Sequence, residues 1–313
     1  MENENNLNRW QDFRRRLADN DIWYSFKHTP MAYISAITGI TLIALAVFAP
    51  LVAPQNPFDL ASLDLFDASM PPSWMDQGDP RFLLGTDDQG RGILSTIFYG
   101  LRISLFVGFT SVFLSLLIGV SLGLISGYIG GRVDAVIMRI ADVQLSFPAI
   151  LIALLIDGVF RTVASKEIHE DLALYVVIFA IAISGWVQYA RTVRSSVMTE
   201  KIKEYVQAGQ VIGLGSGRIM IKHILPNVLG PVFVIGTLHL ALAIIIEATL
   251  SFLGVGLPPT TPSLGTLIRI GNEYLFSGEW WITIFPGATL IILSLSVNLF
   301  GDWLRDALNP KLQ

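Results

Sequence analysis

Three groups of residues in this chain combine types and spacings that can carry chemistry. Gly119-Val120-Ser121-Leu122-Gly123 matches the G-x-S-x-G pattern of a serine nucleophile, and His239 lies in another apolar run, a pairing that would suit an intramembrane serine protease. The same glycines have a structural reading. Gly119, Gly123 and Gly127 recur every four residues, so they share one helix face and let a neighbouring helix approach closely. A nucleophile elbow needs a sharp strand-to-helix turn, which a continuous apolar helix does not offer. Helix packing is therefore the expectation for the glycines, and a bundle-facing hydrogen bond for His239. The second group is Glu247 inside LALAIIIEATLSFLG, where an unpaired carboxylate would be costly in hydrocarbon. It must face protein, water or a partner. A proton-coupled secondary transporter, with Glu247 titrating and Asp157 or Asp142 as relay, is one reading; a structural hydrogen bond is the other. The third group, His28, His169, His223 and His239, is scattered over separate segments without metal-ligand spacing, so no metal is expected. No G-x-x-x-x-G-K-[ST] phosphate loop occurs, so the chain is not expected to hydrolyse ATP or to bind a cofactor of its own. The absence of cysteine removes disulfides and thiol catalysis.

The elements that must position these residues are apolar. Hydrophobic residues make up 52% of the 313 and charged ones 15%, with mean hydropathy +0.58. That composition belongs to an integral membrane protein. A helix needs roughly 20 apolar residues to span the hydrocarbon. Six runs qualify, at about 31–54, 102–127, 139–160, 172–192, 229–253 and 282–301. The expected fold is all-α with six transmembrane helices and both termini cytoplasmic. In that topology Arg9, Arg14, Arg15, Arg16, Lys27, Arg132, Arg139, Arg191, Arg194, Lys201, Lys203, Arg218, Lys222, Arg305 and Lys311 fall inside. Only Arg81, Arg91, Arg161, Lys166 and Arg269 fall outside, as the positive-inside rule requires. Residues 1–30 form a polar, arginine-rich arm with Trp10, Phe13, Leu17, Trp23 and Phe26 interspersed, which reads as an amphipathic helix on the inner leaflet. With net charge −4, the chain is not expected to bind nucleic acid. The remaining residues, 31–313, form the transmembrane domain, with an external loop at 55–98. Trp280-Trp281, before the last span, reads as an interfacial belt.

One polar segment interrupts the apolar runs. TEKIKEYVQAGQVIGLGSGRIMIKHILPNVLGP, from Thr199 to Pro231, reads as a short helix from about Lys201 to Ile212, broken by Gly213, Gly215 and Gly217. A second helix from Arg218 is expected to stop at Pro226. The loop between two spans can be far shorter than this, so the segment reads as a knuckle for docking rather than a connector.

The spacing Glu204-Tyr205, Ala208-Gly209, Gly213, Ile224-Leu225-Pro226 resembles the cytoplasmic coupling loop of permease subunits from bacterial ABC importers. Further segments resemble the dipeptide/oligopeptide (peptide/nickel) branch: Leu84-Gly85-Thr86-Asp87 with Gly90-Arg91, Glu247 with Leu250-Ser251-Phe252-Leu253-Gly254, and Pro262-Ser263 with Gly265. Trp280-Trp281 with Pro286-Gly287, and Gly301-Asp302 with Leu304-Arg305-Asp306 and Pro310, complete the set. Departures from that branch are Gly209 for the second Ala, Gln207 for Glu, Gly92 for Asp, Leu264 for Trp and Asn309 for Asp. The resemblance implies a type I ABC importer permease fold in the bacterial inner membrane. It also implies alternating-access import of peptides or peptide-like solutes, with ATP and Mg held by two partner ATPase subunits. A second homologous permease and an extracytoplasmic solute-binding protein would complete the complex. On that basis Glu204, Tyr205, Ala208, Gly209, Gly213, Ile224, Leu225 and Pro226, within the 199–228 loop, are the expected ATPase-coupling residues.

Overall fold

A computed structural model describes residues 21–59, 63–258 and 260–307. The arginine-rich arm up to residue 20, and the tail with Asn309 and Pro310, lie outside the described residues. A short helix α1 (Asp21–His28) leads into α2 (Pro30–Val47), which starts with the proline at its first turn, where a missing amide costs nothing. Then follow α3 (Ile93–Ile129), α4 (Gly131–Leu145), α5 (Ala149–Val163), α6 (Lys166–Glu200) and α7 (Glu204–Val211). The chain ends with α8 (Leu225–Phe252), α9 (Leu264–Tyr274) and α10 (Trp281–Ala307). Among the described residues the only β pairing is the isolated antiparallel bridge Thr86↔Gly92.

Five helices are long and apolar enough to cross a membrane, and the bent pair α4–α5 makes a sixth crossing if it is one span. The run at 139–160 is thus not the continuous helix its hydropathy predicts. It breaks by 92° between Leu145 and Ala149. Pro148 explains the break, because it cannot donate to the helix and disfavours helical backbone at Phe147. At Pro148 itself the chain is extended, with ψ 136.

The long helices α3 and α6 form the most extensive contact of the bundle, and glycine is the reason. A Cβ added at Gly119 would lie 2.5 Å from the Trp186 carbonyl oxygen and from Tyr189 Cβ. At Gly123 it would lie 2.5 Å from the Ala190 carbonyl oxygen, and at Gly127 2.8 Å from Val197 Cβ. Ser115 extends the seam, donating to the Ala182 carbonyl at 2.9 Å. At one end of the bundle, Ile93, Ile97 and Leu101 of α3 pack with Leu264, Leu267, Ile282 and Leu293 of α9 and α10. At the other end, Val120 and Leu124 pack with Val193, Val197, Val206, Ile219 and Ile224. α1 is pinned to the end of α10 by Phe26 against Trp303, with ring centroids 4.9 Å apart.

The expectation for Trp281 also fails. It is buried, and its indole N–H donates to the Thr86 carbonyl at 3.0 Å, tying α10 to the external loop instead of resting at the lipid interface. A buried indole takes such a partner whenever backbone offers one. The loop is organised around the neighbouring Asp87. Its carboxylate accepts from the backbone N–H of Gln89 and of Arg91, both at 2.9 Å, and from Arg91 Nε at 2.6 Å, and both side chains of this ion pair are nearly inaccessible.

Candidate functional site

The segment after α6 is a rigid shelf. Lys201 Nζ donates to the Gly127 carbonyl at 2.8 Å, fastening the exit of α6 to the end of α3. Lys203 pairs with Glu200 at 2.7 Å. Tyr205 hydrogen-bonds to Glu200 across the turn and accepts from Asn227 Nδ2 at 3.0 Å, so one phenol joins the ends of α6, α7 and α8. Burial, and after it Glu200, push the Tyr205 phenol above its ordinary pKa, which keeps it a donor. α7 turns Val206 and Gly209 inward and leaves Glu204, Tyr205, Ala208, Val211 and Ile212 exposed.

α7 ends in a Schellman motif. The Leu214 N–H bonds back to the Gly209 carbonyl and the Gly213 N–H to the Gln210 carbonyl, both at 3.0 Å. Gly213 takes the left-handed conformation, φ +81, that this closure requires. The chain then re-enters helix at Ser216, earlier than Arg218, and Gly217 lies inside that turn. Pro226 does not stop it. Ile219–Ile224 is a π-helical turn, and Leu225 and Pro226 open α8, which runs on through Pro231 to Phe252. The wider turn sits where Pro226 removes the amide that an α-helix would direct at the Lys222 carbonyl. Ile224 is fully buried, Leu225 half-buried and Pro226 exposed.

Glu247 is inaccessible to solvent, and its surroundings are polar on three sides. Ser104 of α3 donates to Oε2 and Ser251 to Oε1, each at 2.8 Å. The Leu264 N–H, in the first turn of α9, donates to Ser104 Oγ at 3.2 Å. Ser263 caps α9 through the Thr266 N–H at 3.3 Å. The carboxyl group therefore sits beside the α9 N-terminus, whose free amides favour negative charge. Gly265 makes the approach possible: a Cβ there would stand 2.4 Å from the Ala248 carbonyl oxygen of α8. Just beyond, α8 closes with a second Schellman motif, Val255 N–H to Leu250 O at 2.9 Å and Gly254 N–H to Ser251 O at 3.1 Å, with φ +78 at Gly254.

The relay acids are not brought to this cluster. Asp142 pairs with Arg191, and Asp157 with Arg161, each in its own ion pair, and none of the hydrogen bonds of the described residues links either to Glu247. The nucleophile pair is separated in the same way. Ser121 is exposed, two positions off the glycine face, while His239 is held by Gln188 with its Nε2 2.6 Å from Oε1. Among the described residues no group of three His, Asp or Glu is placed to hold a metal ion.

Two polar links escaped the reading of the sequence. Arg194 of α6 makes a two-pronged contact with Asp134 of α4, which also accepts from Ser126 of α3. Trp186 Nε1 donates to Gln144 Oε1 at 2.7 Å, holding α4 on α6. Both join residues dozens of positions apart, so only the charge of Arg194 and Asp134 was visible in the sequence. A cavity of about 630 Å³ between α2, α8 and α10 is lined mostly by apolar groups such as Ile43, Leu240 and Val297, with Ser35, Thr237 and Ser296 among them.

Comparison with known proteins identifies the family. Residues 119–313 match the family described as binding-protein-dependent transport system inner membrane component, and residues 20–72 match the N-terminal TM domain of oligopeptide transport permease C. The dipeptide transport system permease protein DppC of Haemophilus influenzae is 40% identical over 94% of this chain and 95% of its own length. The di/tripeptide permease DppC of Pseudomonas aeruginosa and the oligopeptide permease OppC of Bacillus subtilis are each 38% identical over 94% of this chain, covering 92% and 90% of their own lengths. Among solved structures, an inward-facing MetNI methionine ABC transporter chain matches with TM-score 0.52 and 18% identity, over 68% of this chain and 96% of that one. That likeness shows the fold alone. The chain is an inner-membrane permease subunit of the binding-protein-dependent ABC importer family.

Proposed function

We propose that this permease forms half of a translocation pathway for peptides or peptide-like solutes, delivered by an extracytoplasmic solute-binding protein. A second homologous permease supplies the other half, and two ABC ATPase subunits, which bind ATP and Mg, supply the energy. Similarity over nearly the whole length to proteins named as dipeptide, di/tripeptide and oligopeptide permeases carries the solute class. Both termini and the 199–228 segment face the cytoplasm in this reading, and that segment is the surface an ATPase subunit grips. Glu204, Tyr205, Ala208 and Gly213 form the outer face of the grip, Gly209 lies on the inner face of α7 toward Leu214 and Ile219, and Ile224, Leu225 and Pro226 transmit the push into α8.

The supporting observation is the combination of rigidity and exposure. Val211 is 90% and Ile212 77% exposed on a helix that is fastened at both ends by Lys201, Tyr205 and the Gly213 closure. Apolar side chains presented on a braced, polar-rimmed helix suit a protein groove. Closure of the ATPase pair on ATP would then move α7 as a solid lever, and α6 and α8, joined at Tyr205, would move with it.

The testing experiment is purification of this chain from its native membrane in mild detergent, followed by mass spectrometry of stoichiometric partners. Recovery of two ATPase subunits with phosphate loops and a second permease is expected. Recovery of the chain alone, or only as copies of itself, would refute the complex.

A further inference from the structure

A second, smaller cavity of about 120 Å³ lies between α3, the start of α5, α6 and α8. Its polar lining is Ser115, Ser184, Gln188 and His239. Both serines use their protons internally: Ser115 Oγ donates to the Ala182 carbonyl at 2.9 Å and Ser184 Oγ to the Ala180 carbonyl at 2.8 Å. What remains is the contact between His239 Nε2 and Gln188 Oε1 at 2.6 Å. A neutral imidazole has one donor and one acceptor, and a carboxamide has one group of each kind. In whichever tautomer and amide orientation the pair is drawn, the contact consumes one donor and one acceptor. One nitrogen of the imidazole and one group of the carboxamide are left over, and they are always of opposite kinds.

The position of the pair makes this surplus significant. Gln188 is exposed in the middle of α6, a helix that crosses the membrane. A carboxamide turned to lipid would carry unsatisfied polar atoms in hydrocarbon, which is costly. The pair is also braced. The His239 ring stands edge-on to Tyr189, with centroids 4.8 Å apart at 82°, and Tyr189 is itself locked against Gly119.

We propose that this face of α6 and α8 lines the aqueous route, and that Gln188 and His239 form a subsite for an amide group of the solute in transit. A secondary amide presents one N–H and one C=O, the complement of what the pair leaves free, so the peptide bond is the chemistry it suits. This rests on the permease reading above and narrows its solute class from the residues of this chain alone.

The absence of cysteine supplies the test, since Gln188→Cys puts a single thiol in this chain. In the complete transporter, with cysteine-free partner subunits in liposomes, the membrane-impermeant quaternary cation 2-(trimethylammonium)ethyl methanethiosulfonate should modify that thiol. Phe179→Cys on the apolar face of the same helix should stay unmodified. Equal rates at the two positions, or no reaction at position 188 in a transporter that imports trialanine, would overturn the subsite while leaving the permease reading intact. Single-turnover uptake from saturating trialanine-loaded binding protein then tests the amide. Gln188→Leu and His239→Phe should each slow trialanine about tenfold, as loss of one hydrogen bond implies. The variant that removes the acceptor of the solute N–H should leave N-methylated trialanine, which lacks that N–H, near its wild-type rate, while the variant that removes the donor to the C=O slows both peptides alike. Equal slowing of both peptides by both variants would mean a merely structural role and overturn the proposal. Labelling at position 188 with no import of either peptide by the wild-type transporter would instead overturn the peptide reading, and the amide subsite with it.

Discussion

Gly213 offers a test of the proposed lever that separates backbone strain from contact with a partner. It lies at φ +81, and a Cβ built there meets nothing within 4 Å in the chain itself. Substitution therefore carries no packing penalty within this subunit, only the cost of holding an L-residue in the left-handed region, about 1–2 kcal/mol. Gly213→Asn should sit at the low end, because Asn tolerates that conformation, and Gly213→Val at the high end or beyond, because a β-branched residue does not. A penalty of one to two kcal/mol lowers the population of the closed loop roughly 5–30-fold if it is not offset elsewhere. The assay is reconstitution with the ATPase subunits and loaded binding protein, reading ATPase retention, stimulated ATP hydrolysis and uptake together. Gly213→Val is expected to insert normally but to lose uptake per ATP hydrolysed by a factor within that range, and Gly213→Asn to recover most of it. Wild-type coupling in Gly213→Val would refute the lever. If Gly213→Asn were as defective as Gly213→Val, the strain argument would fail, and the volume occupied by a partner at this position would have to replace it.

The remaining expectations concern stability and assembly. Gly209→Ala should stabilise α7 by about 0.5–1 kcal/mol without harming transport, since the added methyl meets Leu214 and Ile219 at ordinary distances of 3.5–3.9 Å; thermal unfolding in detergent that shows a loss would contradict the contact geometry. Gly123→Ile should abolish the α3–α6 seam, because its Cβ would fall 2.5 Å from the Ala190 carbonyl, and a monodisperse, stable subunit on size-exclusion chromatography would argue against it. Glu247→Gln keeps an acceptor for one of Ser104 and Ser251 and offers an N–H to the other hydroxyl, which can turn to accept it, and should be mild. Glu247→Leu strands both hydroxyls in the core at about 1–3 kcal/mol each, so equal thermal stability of the two variants would discount the cluster. Asp87→Ala, which leaves Arg91 buried and uncompensated, should destabilise the external loop by about 3–5 kcal/mol, read as loss of proteolytic protection.

Much of the fold was legible in composition. Three of the six apolar runs, at 102–127, 172–192 and 282–301, sit inside a long helix and two more overlap one for most of their length, and the resemblance in the polar and glycine-rich segments was enough to indicate the family, because those residue types occupy positions that backbone closure and close approach impose. The glycine seam on α3 could be read because its period equals one helical face. The Schellman closures at Gly213 and Gly254 are local, formed within six residues, and a glycine after an apolar run is their signature.

Other features depended on residues far apart in the chain. The 92° break at Pro148 looked like one span because hydropathy measures polarity and is blind to a missing amide. Pro226 looked like a stop, whereas a proline in a first helical turn is harmless, and which turn it occupies depends on where the π-helical segment begins. The sequence by itself determined that Glu247 needed a partner, since a carboxylate in an apolar helix cannot go without one. Only the tertiary structure decided that the partners are Ser104, Ser251 and the start of α9, more than a hundred residues away on one side and close by on the other. It likewise paired His239 with Gln188 and left Ser121 on an outer face. The physical reason is the same in each case. Periodicity specifies which side of a helix is buried, but the identity of the group met there is set by how neighbouring helices cross, and that information is spread over the whole packed bundle.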